Sequence, residues 1–316
     1  MKRIGIWKNR FILLGMIAMM LLFISGCSGD DLTPVSGNDP TTPWLVTATE
    51  DTWLTTNPFE SKHDGGWVYS AREDVIYAMY GEDAGDNGLT LYRIDHIAHT
   101  STIATTWLFG RHGSQPVIDD DGTYIYQPPS ESTNQLERYN TITKERETLA
   151  PAPMESTYSH GAWKNGKLWI VLDDDNLYSY DPATDAWSAS LHDFGAYGNV
   201  ASSGPTSDLI YVLLTDATFY SYDVTNGTVV PLTPDPNGFD LGGNNELTWF
   251  GASIGFIYAA ENYDGDPAIY DIANDTWQTL SDPKAPNSWA GHATYDTSRM
   301  RLYVTGVDDS VWYYQY

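Results

Sequence analysis

The chain has 316 residues, of which 16 are basic and 42 acidic, for a formal charge of −26. Nucleic acid and anionic membrane surfaces need clustered Lys and Arg, so both are excluded as partners. A single cysteine, Cys27, excludes a disulfide framework.

Taken in order, the chain opens with Lys2, Arg3, Lys8 and Arg10, followed by an apolar run from Phe11 to Ile24. This reads as a secretory signal, too short and too one-sided to be a spanning helix. Without it, 12 basic residues face 42 acidic ones, a balance of −30. Many of the acids fall in expected turns, where Asp bonds its own backbone. A solvated surface therefore explains the charge better than a cationic partner does. Residues 28–43 are polar, with Pro, Gly and Asp and no periodicity, as in a flexible tether. Residues 44–316 are enough for one domain and leave no room for a second.

Within residues 44–316 one unit recurs. It is clearest from Lys164 to Ser190: a strand at Lys167–Leu172, an acidic turn at Asp173–Asn176, a strand from Leu177 to Asp181, and a turn into Trp187. An aromatic residue in the first strand and a residue ending the second mark each copy. The pairs are Tyr77/Ile94, Tyr126/Tyr139, Trp169/Tyr180, Tyr211/Tyr222, Tyr258/Tyr270 and Tyr303/Tyr314. The first markers are spaced 49, 43, 42, 47 and 45 residues apart. A period in the forties with several strands per period predicts a β-propeller with one blade per period. A third marker follows as Trp187 and Trp277, with Arg146 and Val229 in its place in two blades. The sixth unit ends at its second marker. Ala48 to Leu54, with Trp53, matches the Trp187 and Trp277 strands and has no blade before it. The expectation is an all-β, six-bladed propeller whose last blade is completed by this N-terminal strand, which removes an open sheet edge.

Two resemblances add to this reading. Ile24-Ser-Gly-Cys27 resembles a bacterial lipobox. That implies a signal peptide of residues 1–26, cleavage before Cys27 and lipidation of that Cys. Ser28 after it implies the outer membrane. Tyr180-Asp-Pro-Ala-Thr-Asp-Ala-Trp187 and Tyr270-Asp-Ile-Ala-Asn-Asp-Thr-Trp277 resemble kelch repeats of the galactose-oxidase type, and Trp289-Ala-Gly-His-Ala-Thr-Tyr295 resembles a kelch strand start. The paired Gly of kelch repeats is missing, with Gly306 a single remnant. Copper radical oxidases on such propellers need a Cys–Tyr crosslink, and this domain has no Cys.

Propeller ligands usually sit where blades begin near the axis. His112, His160 and His292 hold comparable positions there. They read either as a metal or catalytic cluster or, preferably, as framework histidines bonded to a neighbouring blade. Arg111 could clamp a carboxylate, and Glu246, Asp64 and Asn199 lie near blade starts. Asp119-Asp-Asp121-Gly122 and Glu82 to Gly88 resemble calcium loops but lack the later bidentate Glu, and read better as hairpin turns. No His-Glu-x-x-His or phosphate loop occurs. The expectation is a monomeric, lipid-anchored module that binds a protein or polysaccharide without catalysis and without a cofactor. The alternative is a carbohydrate-active enzyme acting at the central channel. Sialic acid mutarotases, secreted six-bladed kelch-like proteins, make that class a second expectation at fold level. An assembly factor of an envelope complex is a third.

Overall fold

Short runs of aromatic and β-branched residues, each stopped by Asp, Asn or Gly, give strands of two to seven residues. The computed structural model describes residues 49–50, 66–79, 90–98, 100–108, 114–130, 132–157, 159–235, 246–250, 255–260, 267–280, 292–305 and 311–315. All of them belong to one unit, residues 46–316. Among the described residues every regular element is a strand, and the strands form six antiparallel sheets. Strand β1 is Thr49–Glu50. Blade 1 is β2 (Gly66–Ser70), β3 (Val75–Met79), β4 (Thr90–Asp95) and β5 (Thr100–Thr106). Blade 2 is β6 (Val117–Ile118), β7 (Tyr124–Gln127), β8 (Glu137–Asn140) and β9 (Arg146–Thr148). Blade 3 is β10 (Gly161–Lys164), β11 (Lys167–Val171), β12 (Asn176–Asp181) and β13 (Ala186–Trp187), with β14 (His192–Asp193) also on β12. Blade 4 is β15 (Gly198–Ser202), β16 (Leu209–Leu214), β17 (Phe219–Asp223) and β18 (Val229–Leu232). Blade 5 is β19 (Glu246–Phe250), β20 (Phe256–Ala260), β21 (Ala268–Asp271) and β22 (Thr276–Thr279).

Blade 6 has β23 (Ala293–Asp296), β24 (Arg301–Thr305) and β25 (Val311–Gln315), and β1 is its outer strand. The ends of the chain thus close the ring, as expected. Pairing sets Thr49 opposite Tyr313 and Glu50 opposite Trp312. It falls upstream of Trp53, which lies outside the described residues. The inner strands β2, β6, β10, β15, β19 and β23 are neighbours in that circular order, and β23 returns to β2. Backbone bonds cross between blades at this inner ring: Gln115 N donates to Ser159 O at 3.3 Å, and Val200 N to His160 O at 3.2 Å.

The two marker sets have one geometry throughout. In every blade the second marker lies opposite the residue just before the first: Ile76↔Ile94, Ile125↔Tyr139, Leu168↔Tyr180, Ile210↔Tyr222, Ile257↔Tyr270 and Leu302↔Tyr314. Side chains alternate along a strand, so the two markers project from opposite faces of the blade. Each first marker therefore meets the second marker of the next blade. Ring centroids are 6.3 Å apart for Tyr77–Tyr139, 6.5 Å for Tyr126–Tyr180, 5.9 Å for Trp169–Tyr222, 6.3 Å for Tyr211–Tyr270 and 6.4 Å for Tyr258–Tyr314. The sixth contact joins Tyr303 to Ile94 in one apolar cluster. All twelve markers are buried.

The Tyr-Asp-x4-Trp stretch is the clamp on the outer side of this contact. The Tyr180 hydroxyl donates to Asp185 at 2.6 Å, and Asp185 also accepts the Ala150 N–H of blade 2. Trp187 Nε1 donates to Ala150 O at 2.9 Å. Blade 5 repeats this with Tyr270, Asp275, Trp277 and Thr233. Asp181 and Asp271 each fold the turn by accepting N–H groups two residues on. In blade 2 Arg146 stands opposite Tyr139 where Trp would, and its guanidinium donates to Thr106 O of blade 1. In blade 4 Gly227, at φ 75°, takes the left-handed place of Asp185, and Val229 that of the Trp, so this clamp is absent there.

Tyr211→Ala should cost roughly 3–5 kcal/mol in denaturant unfolding, the usual loss for a buried aromatic. Tyr270→Phe should cost only about 1 kcal/mol, because Asp275 keeps its Thr233 donors. Equal losses for the two would contradict the ranking of contact over clamp.

Candidate functional site

The six inner strands enclose a cavity of about 570 Å³. Each blade gives its wall an apolar residue: Val68, Val117, Ala162, Val200, Leu247 and Ala293. The lining continues past the ends of β2, β6 and β23 into the turns that follow, at Arg72, Asp119 to Gly122 and Thr297. Polar and aromatic groups also line the cavity at Trp67, Tyr69, Gln115, Thr248 and Thr294, and a larger set lies toward this turn end. That set is Arg72, Asp119, Asp120, Asp121, Trp163, Ser202, Trp249 and Tyr295.

Two indoles there are held in place. Trp163 stacks on Tyr126 with centroids 5.0 Å apart, and its Nε1 donates to Asp120 Oδ2 at 3.1 Å. Trp249 meets Tyr295 edge-on at 5.7 Å. It fills space that only glycine leaves: a Cβ on Gly204 would come within 2.6 Å of the indole, and one on Gly255 within 2.2 Å of its Nε1. Trp67, also in the wall, is buried, and its indole N–H has no partner among the described residues.

The acid turn is a hairpin turn, as its sequence suggests. Asp119 Oδ1 accepts Thr123 N at 2.8 Å and Tyr124 N at 3.0 Å, and Asp121 Oδ1 accepts Thr123 N at 3.0 Å. Burial, with the Asp121 charge beside it, pushes the Asp119 carboxyl up to about 6, although the Tyr124 and Thr123 N–H groups oppose this. Asp121 is held below the usual range, first by its bond to Thr123 and in part by Arg72. Arg72 Nη1 donates to Thr123 Oγ1 at 2.9 Å.

The candidates near blade starts share one level of the ring. His160, Asn199, Glu246 and His292 each precede by one residue the first wall residue of blades 3 to 6: Gly161, Val200, Leu247 and Ala293. His160, Asn199 and His292 are buried and are not among the residues that line the cavity. His292 packs on Trp67 at 5.9 Å. His160 and His292 belong to blades 3 and 6, half a turn apart. Arg111, His112, Asp64, Cys27, residues 82–88 and the side chain of Glu246 lie outside the described residues. Trp163, Trp249 and Tyr295 were not singled out from sequence. The available signal was that they are aromatics outside the three marker sets, each at the end of an inner strand.

One further cluster was also missed. Asp74, His96 and Asp296 place ligand-type atoms within 4.8 Å of one another, the one group of three such residues among those described. Its positive charge is already supplied by Arg299. Arg299 forks onto Asp74 at 2.6 and 2.7 Å and reaches Asp296 at 2.9 Å, and His96 Nε2 lies 3.1 Å from Asp296. Tyr69 donates to Asp74 and accepts from the Ser298 hydroxyl. The cluster bolts blade 6 to blade 1 and suits an ion pair better than a metal centre. The bond to Arg299 lowers Asp74 to about 2; Asp296 is lowered by His96 and Arg299 against the opposing effect of burial. Gly251-Ala-Ser253-Ile-Gly255 matches the nucleophile-elbow pattern. It joins antiparallel β19 and β20, whereas an elbow needs a strand-to-helix turn. No protein-family model and no curated protein matches this chain.

Arg299→Ala should cost roughly 3 kcal/mol, because Asp296 stays buried without its Arg partner. Both folded-state carboxyl values lie below the unfolded one, so this stabilisation holds above about pH 4 and fades toward pH 2. The Arg299→Ala variant should therefore show a flatter acid limb in a stability–pH series. Asp119 has the opposite sign. Its raised value means that the ionised group opposes folding at neutral pH and ceases to do so below about pH 4. Asp119→Asn should gain on the order of 1 kcal/mol at neutral pH, with the gain gone by about pH 4. A gain that grows on acidification would contradict this assignment.

Proposed function

We propose that this chain is a lipoprotein of the bacterial envelope, anchored through Cys27, that binds a glycan in the axial cavity without turning it over. One observation carries the reading. A cavity walled by all six blades ends in pinned aromatic rings beside a turn of hydrogen-bond acceptors. Sugars present apolar ring faces and hydroxyl edges, so rigid indoles beside carboxylates suit both surfaces. A protein partner would not need an axial cavity of about 570 Å³.

The enzyme alternative draws on the Asp119 and Asp121 carboxyls, whose values are pushed apart as in acid–base pairs. Both sit on one turn and share the Thr123 N–H. Carboxyls placed so approach a sugar from one side, whereas glycoside hydrolysis needs them on either side of the bond. The binding reading is therefore preferred.

Titration of the purified protein with neutral, amino and acidic oligosaccharides, followed by tryptophan fluorescence, should give saturable binding to at least one class. Trp163→Ala and Trp249→Ala should each weaken it by about tenfold or more, as loss of one stacked ring implies. No binding across the three classes would overturn the reading. For the anchor, Cys27→Ser should move the protein from the membrane fraction to the soluble fraction, and unchanged fractionation would remove the lipid from the account.

A further inference from the structure

The proposed glycan site has a charge character that narrows its ligand. At the turn end of the cavity three consecutive carboxylates, Asp119, Asp120 and Asp121, face a single described base on the lining, Arg72. Arg72 reaches over to Thr123 and offsets Asp121. Lys164, the next nearest cation, turns its Nζ to Gly204 O at 2.9 Å and is buried. It offsets Asp120 only at a distance. Asp119 and Asp120 therefore keep most of their charge uncompensated at the lip.

The aromatic next to them is placed to share a cation. Tyr126 covers one face of Trp163, and Asp120 holds its Nε1 edge. Trp163 is half-buried and lines the cavity together with these carboxylates, so part of its ring remains accessible. An ammonium group gains from both an indole face and a carboxylate, while a carboxylate or sulfate ligand would be repelled. Deeper in the wall, the unpartnered N–H of buried Trp67 offers a donor to a sugar oxygen.

We propose that the axial cavity selects sugars bearing a free amine, with the ammonium lodged between Asp119, Asp120 and the accessible part of the Trp163 ring. This rests on the glycan reading above and deepens it. Neutral N-acetylated sugars would stack on the same rings but lack the ion pair, and uronic or sulfated sugars would be excluded.

The test is calorimetric titration of the full chain at neutral pH and low salt with a glucosamine tetramer and with its fully N-acetylated counterpart. The amine form should bind about tenfold tighter, the combined effect of one partly screened ion pair and one cation–π contact. Asp120→Asn keeps an acceptor for Trp163 Nε1 and removes the charge. It should narrow the difference between the two oligomers, with the loss falling on the amine form. If the N-acetylated oligomer binds as well or better in the wild-type protein, amine selection is wrong and the glycan reading stands. If Asp120→Asn weakens both oligomers equally, Asp120 only positions Trp163 and the ion pair is overturned. If neither oligomer binds, the amine proposal falls, and the glycan reading falls with it unless another sugar class binds.

Discussion

The structure depends on one contact made six times: the aromatic residue in the second strand of a blade packs on the residue ending the third strand of the next. Strand alternation sends the two markers to opposite faces, so each blade offers one knob forward and one surface back. A chain with this register in every copy closes as a ring, because each blade is held by both neighbours. The joint between blades 6 and 1 departs from the pattern. There Ile94 replaces Tyr, and the ring-on-ring contact is lost. His96 lies edge-on to Tyr303 at 5.5 Å, and Arg299 ties Asp74 to Asp296. The ion-pair cluster thus stands where the aromatic contact is weakest and where the two ends of the chain must meet.

The ring in turn determines what the axis can be. The bulky markers of the second and third strands fill the space between blades, and each inner strand gives at least one apolar residue to the axis. A cavity follows from that division. Its two ends differ. At the level where the inner strands begin, His160, Asn199 and His292 are buried among the blades. At the other end Trp163, Trp249, Tyr295 and the Asp119–Asp121 turn surround the opening.

Much of the fold was legible because the physics is periodic. Marker spacing, Asp-rich turns and the Trp187/Trp277 copies each report a local geometry that recurs, and the substitutions at Arg146 and Val229 fell where the register places them. The cavity was less legible. Which end of the inner strands would carry the site depends on how six blades converge, and no local pattern encodes that. The histidines drew notice as titratable groups at blade starts; of these, His160 and His292 are buried and stand outside the cavity lining. Asp119 and Asp121 were noticed as a turn, not as the lip of a cavity. Asp74 and His96 meet Asp296 and Arg299 only through ring closure, across 200 to 225 residues of sequence.

The most direct measurement is hydrogen-exchange mass spectrometry of the purified chain with and without saturating chito-oligosaccharide. The account predicts slowed exchange at the turn end of the axis, in residues 69–74, 119–124 and 295–299 and around Trp163 and Trp249. Protection confined to the opposite end, around His160, Asn199 and His292, would contradict it.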